Sequence, residues 1–161
     1  LRFIEEVNAI IGDIHHKLTG GRERIGLSYE PGCGALSLEA ALEKNRERDI
    51  RMKSTSVGPH RDDLEITLSG LSARMYGSQG QQRSVVLSLK MAEAAAAAQI
   101  TGEHPVLLLD DVLSELDEGR KQYLLTCMKE KQTFVTSCDD TDFLKTDGEV
   151  YRMDGGVLNR V

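Results

Sequence analysis

The chain has 161 residues, enough for one domain or one lobe of a larger one, and long enough to bury a real core. Hydrophobic residues at 40% and charged residues at 29% are ordinary for a soluble globular chain, and no apolar run reaches the roughly 18 residues of a membrane helix. The net charge of −6 gives no general affinity for nucleic acid, so a nucleic-acid role would need a local basic patch.

The first residues, Leu1-Arg2-Phe3-Ile4-Glu5-Glu6, lack the layout of a signal peptide and include no initiating Met, as expected of a piece of a longer chain. Cys33, Cys127 and Cys138 are scattered and form neither a zinc motif nor a disulfide framework, which fits reduced thiols in a cytoplasmic protein. Phe3, Val7, Ile10, Ile14 and Leu18 then make one apolar stripe at helical spacing, and Gly20-Gly21 stops it. His15 and His16, near the end of that helix, have no further ligands at helical spacing and read as surface histidines that favour the helix dipole.

Ile25 to Glu30 alternates as a half-buried strand, broken by Pro31-Gly32-Cys33-Gly34. Leu36 to about Lys53 is helical and charge-rich. Its basic residues Arg46, Arg48, Arg51 and Lys53 are diluted by Glu47 and Asp49, the pattern of a solvated helix face. Ser54 to Asp63 is a polar connection, and Leu64, Ile66 and Leu68 alternate as a strand closed by Ser69-Gly70. A broad apolar helix is predicted from Gln79 to about Ile100, ended by Gly102. Val106 to Leu109, continuously apolar, is expected to be a parallel strand covered on both faces. A helix from Asp117 to Glu130 with Asp117 as N-cap, a strand over Gln132–Thr136, a helical turn from Asp139 to Leu144 and a hairpin across Asp154-Gly155-Gly156 complete the chain. Strands alternating with helices in the second half argue an α/β sheet.

Two segments carry chemistry. Ser78-Gln79-Gly80-Gln81-Gln82 offers a hydroxyl, main-chain N–H groups and a helix N-terminus, which together can hold an anion without a cation. Asp110 ends an apolar strand, so its carboxylate emerges at the carboxyl edge of the sheet and can contribute to a Mg²⁺ site alongside water and phosphate oxygens. Asp111, pointing elsewhere, is placed to take a proton from a water attacking a γ-phosphate. Taken singly, the first segment also reads as an ordinary Ser-capped helix and the second as a solvated Asp pair.

In this order the two segments resemble the signature and Walker B regions of ABC-type ATPase heads, and Ser114-Glu115-Leu116-Asp117 resembles the D-loop that follows. Ser78-Gln79-Gly80-Gln81-Gln82-Arg83, Leu107 to Asp117 and Val57-Gly58-Pro59-His60-Arg61-Asp62-Asp63-Leu64 are similar to the RecF family of SMC-like DNA repair and replication ATPases. The resemblance implies an α/β fold: the C-terminal lobe of an ABC/SMC-like head (54–161) joined to the end of a helical arm (1–53). It implies that Asp110 holds Mg²⁺ and that Asp111 is the catalytic carboxylate. Ser78, Gln79, Gly80 and Gln81 would meet ATP bound to a second protomer, and Ser114 and Asp117 would cross the same interface. Where many such proteins place a γ-phosphate-sensing His, this chain has Thr136-Ser137-Cys138-Asp139, and Ser137 is the candidate.

The implied function is ATP-dependent homodimerisation on DNA, at gaps and junctions, with recombination mediators such as RecR and RecO as partners and slow hydrolysis in the full-length protein. No G-x-x-x-x-G-K-[ST] loop occurs in the chain, so on its own it is expected to bind ATP poorly and hydrolyse none; sub-millimolar Mg·ATP affinity would contradict this. Two other readings stay open. One is a non-hydrolysing module that docks partners on a degenerate nucleotide fold. The other is a different SMC-like head, although no sustained heptad run is present.

Overall fold

A computed structural model describes residues 2–129, 131–139 and 148–161 of the chain. Helix α1 (Arg2–Thr19) lies along α4 (Gln79–Thr101), and this helix pair is the backbone of the core. The buried stripe of α1 is Val7, Ile11, His15, Leu18 and Thr19. It is turned slightly from the predicted one, leaving Phe3 42% exposed. Ala92 and Ala96 of α4, both fully buried, meet Val7 and Ile11, and their small side chains let the two helices come close. Burying Ile11 alone contributes roughly 1.5–3 kcal/mol.

One expectation fails here. His15 is fully buried rather than at the surface. Its backbone position on the inner face of α1 brings it against Ser88 of α4, a partner no local sequence rule reveals.

Strand β1 (Ile25–Glu30) pairs antiparallel with β2 (Asp63–Leu68), with Leu27 opposite Ile66, and that pair leans on the α1–α4 core. β2 turns through Ser69 and Gly70, both at positive φ, into the two-residue β3 (Leu71–Ser72). Between β1 and β2 the chain makes α2 (Leu38–Met52), N-capped by Ser37, with Ala41 as its one buried residue. After β3 comes the short α3 (Ala73–Tyr76).

Helix α4 ends as the sequence predicts, at Gly102 in a left-handed conformation of φ 78°. Strand β4 (Leu107–Asp110) pairs in parallel with β5 (Thr133–Thr136), joined by a 3-10 turn (Leu113–Glu115) and α5 (Glu118–Met128), whose N-cap is Asp117. Leu109 and Val135 face a core of Leu18, Leu87, Met91, Leu113, Leu116, Leu124 and Met128. The other face of the strand pair is open. Leu108 is 75% exposed and its register partner Phe134 is 58% exposed, so β4 is not covered on both sides as its apolar run predicts. The run reports what the strand could bury, and among the described residues cover is present on one side only.

Strands β6 (Tyr151–Asp154) and β7 (Val157–Arg160) form the predicted hairpin, closed by Gly155-Gly156 and tied by Glu149 to Arg160 at 2.7 Å. The predicted helical turn over Asp139–Leu144 lies, beyond Asp139, outside the described residues. Among the described residues no helix is long and apolar enough to cross a membrane.

Candidate functional site

The first half of the site is the start of α4. Ser78 caps it reciprocally: the Gln81 N–H donates to the Ser78 hydroxyl at 3.3 Å, and the Ser78 N–H donates to Gln81 Oε1 at 2.7 Å. The hydroxyl and N–H of Ser78 are thereby fixed in place. The N–H groups of Gln79 and Gly80 are the first two of the helix and have no intrahelical acceptor, so they point out of its positive end. A Cβ built on Gly80 would meet nothing within 4 Å, which leaves open space over that turn.

The second half is the tip of β4. The Thr136 hydroxyl donates to Asp110 Oδ1, and Thr136 accepts from the Asp111 N–H at 3.0 Å on its hydroxyl and at 3.2 Å on its carbonyl. Asp111 sits at φ 50°, a left-handed position that Asp tolerates better than most residues, so the chain swings off the strand just after Asp110. The backbone therefore changes course between the two Asp residues. Ser114 donates its hydroxyl to the Asp111 carbonyl at 2.9 Å and so folds the following turn back onto the strand tip. Asp117 accepts from the Arg120 N–H at 2.9 Å as the cap of α5, and its side chain remains 62% exposed. Ser137 follows β5 directly, and its hydroxyl accepts from the Asp139 N–H at 3.1 Å.

An ion pair joins the two halves, Arg83 of α4 to Glu115 of the 3-10 turn at 2.8 Å. Both partners are half-exposed, so the pair sets geometry more than stability, at roughly 0–1 kcal/mol. Among the described residues no group of three or more His, Cys, Asp or Glu side chains could hold a metal by themselves. Asp110 fits the more modest role of a Mg²⁺ ligand, because one of its oxygens accepts from Thr136 while the carboxylate stands exposed at the strand end.

Sequence reasoning missed a buried chain of side chains that leads to this site. Glu23 is a carboxylate and can only accept, so His15 Nε2 carries the proton shared with Glu23 Oε2 at 3.3 Å. His15 Nδ1 is then the acceptor for the Ser88 hydroxyl at 2.9 Å. Burial lowers the His15 pKa from its ordinary value, opposed by the hydrogen bond and charge of Glu23, and keeps the ring neutral near pH 7. The other oxygen of Glu23 accepts from Gln81 Nε2 at 2.9 Å, and Gln81 holds Ser78. The one sequence signal was Ser84 and Ser88, two polar residues four apart on the apolar face of α4, both fully buried.

An apolar strand tipped by two carboxylates, the 3-10 turn after it and the capped helix start before it belong to a fold that resembles Smc-type heads. An Smc head bound to the C-winged helix domain of ScpA matches with a TM-score of 0.63 at 19% identity, over 99% of this chain and 43% of that one. No protein-family model matches the chain. The recombination mediator protein RecF, solved as RecF-ATPrS in the RecFOR pathway, matches with a TM-score of 0.78 at 32% identity, over 99% of this chain and 45% of that one. The DNA replication and repair protein RecF of Clostridium perfringens (strain SM101) is 45% identical over 166 residues, covering 98% of this chain and 46% of the relative. That of Agathobacter rectalis is 47% identical over 143 residues, covering 89% and 40%. The chain belongs to the RecF family of DNA replication and repair proteins, and it spans a little under half the length of the curated relatives it matches.

Proposed function

We propose that this chain is the part of a RecF protein that completes an ATP site across a dimer and lets ATP control a clamp on DNA. In this reading the start of α4 meets the γ-phosphate of ATP held by a second protomer. The N–H groups of Gln79 and Gly80 and the hydroxyl of Ser78 face the anion, while Gln81 holds the turn in shape. Asp110 takes Mg²⁺ as one carboxylate ligand among waters and phosphate oxygens. Asp111 accepts the proton of the attacking water. Ser114 and Asp117 cross the same interface, and Ser137 senses the γ-phosphate. Hydrolysis in the full-length protein is slow and resets the dimer on duplex DNA with gaps or junctions, where RecR and RecO act as partners in the cytoplasm.

The observation that carries the reading is the pairing of a reciprocally capped helix start with a strand tip where the backbone turns off between two Asp residues. ATP turnover by the full-length protein with duplex DNA, comparing wild type with Asp111→Asn, tests it. Loss of turnover with ATP binding and ATP-dependent dimerisation retained is expected. Unchanged turnover would remove Asp111 from the chemistry. Absence of turnover in both would favour a docking module without hydrolysis.

A further inference from the structure

Between α2, the loop after β1 and the turn before β2 lies an open cavity of about 580 Å³. Lys44, Asn45, Arg48 and Asp49 line it from α2, and Arg61 faces them from the turn. The α2 residues recur at i, i+1, i+4 and i+5, which puts them on one side of the helix, while Glu39, Glu43 and Glu47 run down the other side. Of the basic run Arg46, Arg48, Arg51 and Lys53, Arg48 alone lines this wall, where it is joined by Lys44 and Arg61. Among the described residues Lys44, Arg48 and Arg61 have no ion-pair partner. Asp49 is the one acid on the wall; its Oδ2 accepts from the Ser56 N–H at 3.0 Å, and its charge is also felt by Arg48 and Arg61.

The turn that carries Arg61 is held from several sides. Asp62 accepts from the Tyr29 hydroxyl and from the Gly32 N–H at 2.7 Å, and His60 Nε2 lies 3.1 Å from the Thr55 carbonyl. Gly32 passes so close that a Cβ there would sit 2.7 Å from the Arg61 carbonyl oxygen. This tethering fixes the backbone from which Arg61 reaches the cavity. Three cations against one carboxylate leave the wall positive in an otherwise acidic chain, and guanidinium forks suit phosphate oxygens. Among the described residues no aromatic side chain lines the cavity to stack a base, so the chemistry selects backbone phosphate and ignores sequence.

We propose that Lys44, Arg48 and Arg61 form a binding site for the phosphate backbone of DNA. This rests on the reading that the full-length protein binds DNA.

The test measures duplex DNA affinity of the full-length protein between 50 and 200 mM salt, for wild type and for Lys44→Gln/Arg48→Gln/Arg61→Gln. Three lost phosphate contacts lower the slope of log affinity against log salt by about 2 to 3, with a roughly tenfold or greater loss of affinity on two unrelated sequences. Arg48→Lys/Arg61→Lys keeps the charge and is expected to keep most of the slope. ATP-dependent dimerisation is followed in parallel; if the triple variant loses it, exposed Lys44→Gln alone is expected to lower the slope by about 0.9. Inorganic pyrophosphate at millimolar concentration is a competitor: displacement of DNA from wild type well beyond what its ionic strength explains would reassign the site to free phosphates. Wild-type DNA binding with unchanged slope in the variants overturns this site alone. No DNA binding by wild type overturns the broader reading and this site with it.

Discussion

Replacing His15 by Leu separates the buried polar chain from the packing around it. Leu has nearly the volume of the imidazole, so the change leaves little cavity, and what it removes is a donor to Glu23 and an acceptor for Ser88. Ser88 is fully buried and loses its partner, which costs about 1–3 kcal/mol. Glu23 keeps some contact with water, with 17% of its side chain exposed, so its share is smaller. A net loss of about 2 kcal/mol in chemical denaturation of the full-length protein at pH 7.5 is the expected result. Removing the second partner as well, in His15→Leu/Ser88→Ala, is expected to recover about 1 kcal/mol, because no buried hydroxyl is then left unpaired. The pH dependence follows from the lowered His15 pKa. The unfolded chain takes up a proton near the ordinary value of 6.5 while the folded chain resists it, so His15 stabilises fully above that pH and its contribution fades as pH falls below it. The gap between wild type and His15→Leu should therefore narrow between pH 7.5 and 5.5. A His15→Leu variant as stable as wild type at pH 7.5, or a gap that widens on acidification, would refute the assignment of a neutral, doubly bonded imidazole.

Gly80→Ala meets no steric obstacle and leaves a helical position better suited to helix, so stability is expected to hold or rise by up to about 1 kcal/mol. Loss of ATP-dependent dimerisation in sedimentation, with melting temperature unchanged, would locate a ligand over that turn; full dimerisation would argue against one. For Asp117, alanine removes the cap of α5 and is expected to cost about 1 kcal/mol, whereas Asn keeps it. If the carboxylate itself crosses the dimer interface, Asp117→Asn melts like wild type yet dimerises weakly with ATP; equal dimerisation would reduce Asp117 to a cap.

Elements whose cause is local were legible. Ser78, Asp117 and Gly102 act through their own backbone neighbours, and each stands at the helix end where its chemistry put it. The hairpin at Gly155-Gly156 and the turn at Ser69-Gly70 are equally local. Features whose cause lies on another element were not. The partner that makes His15 an interior residue is 73 positions away on α4, and nothing within one helix of His15 announces it. The basic wall at Lys44, Arg48 and Arg61 escaped a count made along the chain because helical geometry, not sequence adjacency, decides which charges share a face. The exposed side of β4 escaped for the opposite reason: hydrophobicity states what a strand can bury, while cover depends on what else is present.

Among the ties that hold the start of α4, two differ in kind. Toward α1 it is held by Gln81, Glu23, His15 and Ser88, a chain that becomes buried as it leaves the site. Toward the D-loop-like turn it is held by Arg83 and Glu115, a half-exposed ion pair that salt weakens. The buried chain resists displacement of α4 against α1 more than the ion pair resists displacement of Glu115, while Leu113 and Leu116 of the same turn are held to α4 by packing with Leu87 and Met91. Arg83→Ala should accordingly cost at most about 1 kcal/mol of stability, far less than breaking the buried chain at His15. If ATP-dependent dimerisation falls sharply in Arg83→Ala while the melting temperature barely moves, the ion pair sets the spacing between the signature turn and the D-loop-like turn. If stability falls as far as in His15→Leu, the two ties are not different in kind and this division of the lobe is wrong.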